Sequence, residues 1–163
     1  MANVFEPDFD AEQDRPGFTW RRARLGRQAG AERLGASLFE LAPGQASFPL
    51  HYHHGNEEML IVVSGRPTLR TTEAERELAE GEVVAFVVGE RGAHQVINRT
   101  EEPVHVLLIS EMVGPEVIVY PDSGKTAARE QPPGGAAEGL YEVFHRGDAV
   151  DYFEGENPPH GES

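Results

Sequence analysis

His51 and His53 stand one residue apart in an extended stretch of the chain, His51-Tyr52-His53. In a strand the side chains of residues i and i+2 lie on one face, so both imidazoles can point at a single ion. The short loop 54–57 follows, and Glu57 at its end and Glu58 just after it compete to supply a carboxylate. Glu58 opens an apolar run in which Glu58, Leu60 and Val62 share a parity, so a neighbouring strand can present its carboxylate to the same point. A third imidazole is available from His94, whose face in GAHQVIN also carries Val96 and Asn98. Three nitrogens and one anionic oxygen suit a divalent metal ion, and the chain has no cysteine, so nitrogen and oxygen are the only ligand types open to it.

The remaining histidines lack ligand spacing. His54 points to the opposite face or into the turn, and His105, in PVHVLLIS, reads as a packed or edge residue. His145 and His160 fall in the C-terminal segment with no partner at a useful separation.

Strands are needed to position such residues, and the composition favours them. The 163 residues include 18 Gly and 12 Pro, with 39% hydrophobic residues, which suits many short strands joined by tight turns. Apolar or alternating runs recur from Phe18 to about Tyr120, among them ERLGASLFELA, EEMLIVVSG, EVVAFVV, PVHVLLIS and EVIVY. Turn signals such as APGQ, SGRP and NRTEEP separate them, the spacing of a sandwich or barrel. The expected organisation is an acidic arm at 1–17, one all-β domain at 18–120 and an extension at 121–163. Within that extension PPGGAAEG at 132–139 reads as a flexible connection. Tyr141, Phe144, Val150, Tyr152 and Phe153 beyond it need burial, so the tail is expected to dock on its own barrel or on a second subunit.

With 28 acidic and 14 basic residues the net charge is −14, a surface that repels phosphate backbones and anionic lipid. Neither nucleic acid nor membrane is therefore expected as a partner. The N-terminus has no basic and apolar leader and no run approaches the length of a membrane span, so a cytoplasmic protein is expected.

Two blocks of this sequence resemble the paired motifs of the cupin superfamily. Gly44, six residues, His51-x-His53, four residues, Glu58, six residues and Gly65 resemble the first; Gly81, seven residues, Gly89, four residues, His94, three residues and Asn98 resemble the second. The first has one residue more than usual between Gly44 and His51. In the second, Val87 stands where the family has proline, and Glu90 to Ala93 make a longer turn before His94.

The resemblance implies a double-stranded antiparallel β-helix, a jelly-roll barrel with a site in its open mouth. It selects Glu58 over Glu57, giving His51, His53, Glu58 and His94 as ligands of one divalent metal ion: Fe, Mn, Zn or Ni. It also implies a small-molecule ligand or substrate. A homodimer is expected too, both from the family's habit and from the sheet edges that runs such as EVVAFVV would leave. The expected function is that of a metal-dependent enzyme on a small oxygen-bearing substrate, an oxygenase or a sugar-type isomerase. The alternative is a non-catalytic sugar or effector binder in which the metal is structural. No residue is marked as the group that would move a proton: His105, Gln95 and Tyr52 are merely near in sequence. The runs LIVV and VVAFVV predict an interior poor in acids and bases.

Overall fold

The structure is a computed structural model that describes residues 1–132 and 139–157. Its strands are β1 (Ala11–Gln13), β2 (Trp20–Ala23), β3 (Leu34–Leu41), β4 (Tyr52–His53), β5 (Glu58–Ser64), β6 (Thr68–Arg70), β7 (Glu75–Glu77), β8 (Val83–Phe86), β9 (Gln95–Ile97), β10 (Val104–Glu111), β11 (Glu116–Tyr120), β12 (Lys125–Arg129) and β13 (Tyr141–His145). A single helical turn, α1 (Leu25–Gln28), connects β2 to β3.

Every strand pairing is antiparallel. One sheet runs β1-β2-β3-β10-β5-β8, a second β13-β12-β11-β4 and a third β7-β6-β9. Backbone bridges Ala46↔Ile97 and His51↔His94 join the segment around β4 to the third sheet. The chain is thus all-β, with the jelly-roll topology that the motifs imply.

The alternating pattern decides which side chains meet inside. Leu60 and Val62 of β5 pack with Phe39 and Leu41 of β3, Val104 and Val106 of β10, and Val96 of β9. Leu41, Leu60, Val96 and Val106 are fully buried. At roughly 1.5 to 3 kcal/mol for each large apolar side chain, this cluster is a main source of the barrel's stability. Because Glu58 shares the inward parity of Leu60 and Val62, the core fixes where that carboxylate points. Gly65, which closes the first motif, has φ +83°, and a Cβ there would lie 2.7 Å from Val104 Cγ1. Both facts call for glycine.

Two local expectations need correction, and a third, the docking of the tail, is met only through the backbone. Part of the N-terminal arm joins the barrel: β1 pairs with β2, and Ala2, Val4 and Phe9 pack against the Ala23–Leu25–Leu38 cluster. Its few apolar residues cover a patch of the sheet's face that includes Leu38, Val63 and Leu107. EVVAFVV does not lie inside throughout, because β8 is an edge strand on which Phe86 turns inward while Val83, and Val87 and Val88 beyond the strand, are exposed. In the tail, β13 pairs with β12 through its backbone, yet Tyr141, Val143, Phe144, Val150, Tyr152 and Phe153 remain exposed in the single chain. Hydrogen bonding holds the strand without burying its side chains. Residues 133–138, most of the expected flexible connection, and His160 lie outside the described residues. Among the described residues no helix is long and apolar enough to cross a membrane.

Candidate metal centre

Each of the three sheets contributes to one cluster of side chains. His51 precedes β4 and His94 precedes β9, and the two residues exchange backbone hydrogen bonds, His51 N to His94 O at 3.2 Å and His94 N to His51 O at 2.9 Å. Their rings lie 4.7 Å apart, with the His53 ring 5.1 Å from that of His51. Glu58 faces them from the first position of β5, flanked in register by Phe86 of β8 and Ser110 of β10. Its Oε2 is 3.4 Å from both His53 Nε2 and His94 Nε2. One ligand atom each from His51, His53 and Glu58 falls within a 4.8 Å span. Glu57 is exposed, its backbone N–H bonded to Glu111 Oε2 at 3.1 Å.

Backbone carbonyls determine which imidazole nitrogens are free. Nδ1 of His51 donates to Pro49 O and Nδ1 of His94 donates to Gly92 O, both at 2.9 Å. A carbonyl only accepts, so Nδ1 carries the hydrogen and Nε2 keeps its lone pair. Phe86 stacks on the His94 ring at 3.7 Å and 5°, fixing its plane. The loop that supplies Gly92 O is tightly folded, since a Cβ on Gly92 would lie 1.8 Å from Val87 O. The longer turn between Gly89 and His94 therefore requires glycine at position 92.

His53 is faced by a residue the sequence did not single out. Glu116, at the start of β11, is fully buried, and its Oε2 lies 3.4 Å from His53 Nδ1. The same carboxylate accepts hydrogen bonds from the backbone N–H of His54 at 3.2 Å, Gly55 at 3.0 Å and Val117 at 2.8 Å, and from the Asn56 side chain. The inward parity of Glu116, Ile118 and Tyr120 in EVIVY was a legible signal. That β11 lies beside β4 was not.

Burial, together with the charges of His94 and His53, pushes the His51 pKa down to about 3. For Glu58 burial acts upward, but the His94 hydrogen bond and the charges of the three imidazoles outweigh it and hold the carboxyl down at about 2. The His51 shift has a definite sign for stability. Below about pH 6.5 the unfolded chain takes up a proton that the folded chain refuses until about pH 3, so stability present above 6.5 is lost as pH falls. At 1.36 kcal/mol per pH unit, the metal-free protein should be about 2 kcal/mol less stable at pH 5 than at pH 7.5. The urea midpoint should drop accordingly, and an unchanged midpoint at pH 5 would refute this account.

The cluster opens on a cavity of about 550 Å³. His51, His53 and Glu58 line it, with Phe39, Phe48, Ile118 and Tyr120 around them. The interior is not as poor in polar groups as the apolar runs suggest, because Arg22, Arg24, Arg27, Arg129 and Tyr141 also line it. None of His105, Gln95 and Tyr52 is among the lining residues. His105 bonds Ser64 at 2.9 Å and Glu40 at 3.1 Å, Gln95 donates to Phe48 O at 2.8 Å, and Tyr52 packs with Leu50, Ala93 and Val119. His54 is exposed beside Tyr52, and His145 is exposed on β13. Tyr120 stacks over His51 at 6.2 Å, and burial raises its pKa, so its phenol stays protonated near neutrality.

A double-stranded antiparallel β-helix with this cluster in its mouth defines the class of protein. The family model for the cupin domain matches residues 37–110, so this stretch of the chain is a cupin domain. A solved structure of a candidate sugar phosphate isomerase from Acidithiobacillus ferrooxidans ATCC 23270 is 26% identical, superposes with a TM-score of 0.76 and covers 86% of each chain. A sugar phosphate isomerase of the cupin superfamily from Silicibacter pomeroyi DSS-3 shares the fold at 24% identity and TM-score 0.74, over 91% of this chain and 94% of that one. No curated protein matches the sequence.

Proposed function

We propose that His51, His53, Glu58 and His94 hold one divalent metal ion, and that the chain is a metal-dependent isomerase of a sugar-like carbonyl compound. The observation that carries this reading is the convergence of Glu58 Oε2 on two imidazole Nε2 atoms at 3.4 Å, at the base of a cavity with room for a small substrate. The donor set fits such an ion, since carbonyl-bonded Nδ1 atoms leave Nε2 free on His51 and His94, and Glu58 stays anionic. Bound there, the ion would act as a Lewis acid on an oxygen of the ligand. Phe39, Phe48 and Ile118 limit water at the base, and Tyr120 presents a protonated phenol to the same space as a proton donor. The name borne by the 26% identical structure favours an isomerase over an oxygenase.

The test is elemental analysis of the purified protein, then proton exchange with solvent on a panel of aldoses, ketoses and their phosphates. Metal-dependent exchange with one of them is expected. Oxygen consumption by an Fe(II) form acting on organic acids would favour an oxygenase instead, and saturable binding without turnover would identify a binding protein. The absence of bound metal at neutral pH would overturn the reading.

The functional unit is proposed to be a homodimer in a soluble, cytoplasmic setting. Strands β8 and β13 each lie at one end of their sheet and carry exposed Val83, Tyr141, Val143 and Phe144. A second copy would pair such an edge and cover those side chains. Light scattering should give a mass near twice the 17.9 kDa chain, and a strictly monomeric mass at micromolar concentration would contradict the dimer.

A further inference from the structure

The cavity wall beyond the proposed metal ligands is strongly basic in a chain of net charge −14. Arg22 of β2, Arg24 and Arg27 at α1, and Arg129 of β12 all line it, against Glu58 and the exposed Glu32 as the only lining carboxylates. Arg24 is offset by Asp10 at 3.0 Å. Arg22, Arg27 and Arg129 form no ion pair among the described residues, whereas Arg21, Arg66, Arg70, Arg76 and Arg99 each meet an acidic partner elsewhere. Acidic residues outnumber basic ones 28 to 14, so the missing partners do not reflect any shortage of carboxylates.

Arg22 and Arg129 are also held in place. Each has a buried Nε with no hydrogen-bond partner. The Arg22 guanidinium lies over the Trp20 and Phe39 rings at 5.7 and 6.0 Å, and that of Arg129 over Tyr141 at 5.5 Å. Glu116 stands opposite Arg129 in the β11–β12 register, but its oxygens are engaged by His54, Gly55, Asn56 and Val117. Partly buried guanidiniums without counter-ions are costly unless an anion completes them, and their planar forks match phosphate oxygens in pairs.

We propose that Arg22 and Arg129, with Arg27 at the rim, form an anion subsite that takes the phosphate group of the substrate while its carbonyl end lies against the His51–His53–Glu58–His94 cluster. Three unpaired cations suit a phosphomonoester, which carries nearly two negative charges at pH 7, better than a single carboxylate. This deepens the isomerase reading by naming a phosphorylated sugar-like compound as the substrate class, and it rests on that reading for the placement of the carbonyl end.

The test titrates inorganic phosphate, and acetate at matched ionic strength, into chelator-treated protein by calorimetry. Phosphate should bind at least tenfold more tightly than acetate. Arg22→Met and Arg129→Met should each weaken phosphate tenfold or more, Arg22→Lys and Arg129→Lys should lose less, and Arg66→Met should change nothing. The Arg variants should keep their metal when isolated without chelator. If a Met variant fails to fold, the wild-type preference for phosphate over acetate still decides. Equal affinity for the two anions, or unchanged phosphate binding in both folded Met variants, would overturn the subsite. Phosphate binding that persists in a wild-type protein never found to hold metal would sink the metal reading alone.

Discussion

Replacing His51, His53 or His94 by alanine should lower metal affinity by about 100-fold or more, and His54→Ala should leave it unchanged. Loss of a group that merely orients a ligand costs about 10- to 100-fold in metal affinity, so loss of a ligand itself sets a larger expectation. His54 supplies the contrast because it is adjacent in sequence, carries the same ring, and lies exposed next to Tyr52. Glu58→Gln should behave like the histidine variants, since it removes the carboxylate that faces the Nε2 atoms of His53 and His94, whereas Glu57→Gln should be silent. Metal content after dialysis, measured on folded variants, reads the outcome. Equal retention in His51→Ala and His54→Ala would refute the ligand assignment.

Glu116→Leu is expected to destabilise the protein by about 3 to 5 kcal/mol, the scale found when one member of a buried charged network is removed. The side chain is fully buried and satisfies three backbone N–H groups and the Asn56 amide. Leucine fills the volume but accepts none of those hydrogen bonds, which leaves them unpaired. For a domain of this size that corresponds to a fall in Tm of about 10 °C. Glu116→Gln keeps an acceptor oxygen and should be much milder in stability. It should still weaken metal affinity about 10-fold, because His53 Nδ1 would no longer face a carboxylate. A Tm within 2 or 3 °C of wild type, roughly 1 kcal/mol, for Glu116→Leu would show that the network contributes little.

The sequence by itself determined the elements and their inward faces. Period-2 alternation put Glu58 with Leu60 and Val62, and His94 with Val96 and Asn98, because in a strand parity is fixed by local geometry alone. The two glycine-punctuated motifs carried the family resemblance, and with it the cupin fold that the chain has. Only the tertiary structure decided which strands are neighbours. That choice brought Glu116 against His53, made β8 an edge with Val83 exposed, left Phe144 and Tyr152 outside the barrel, and collected Arg22 and Arg129 from β2 and β12 into one cavity. Strand order depends on contacts between residues tens of positions apart, and no local pattern in a single sequence records them. The polar wall of the cavity stayed invisible for the same reason: an arginine at a strand position reads as solvent-facing until the sheet opposite it is known.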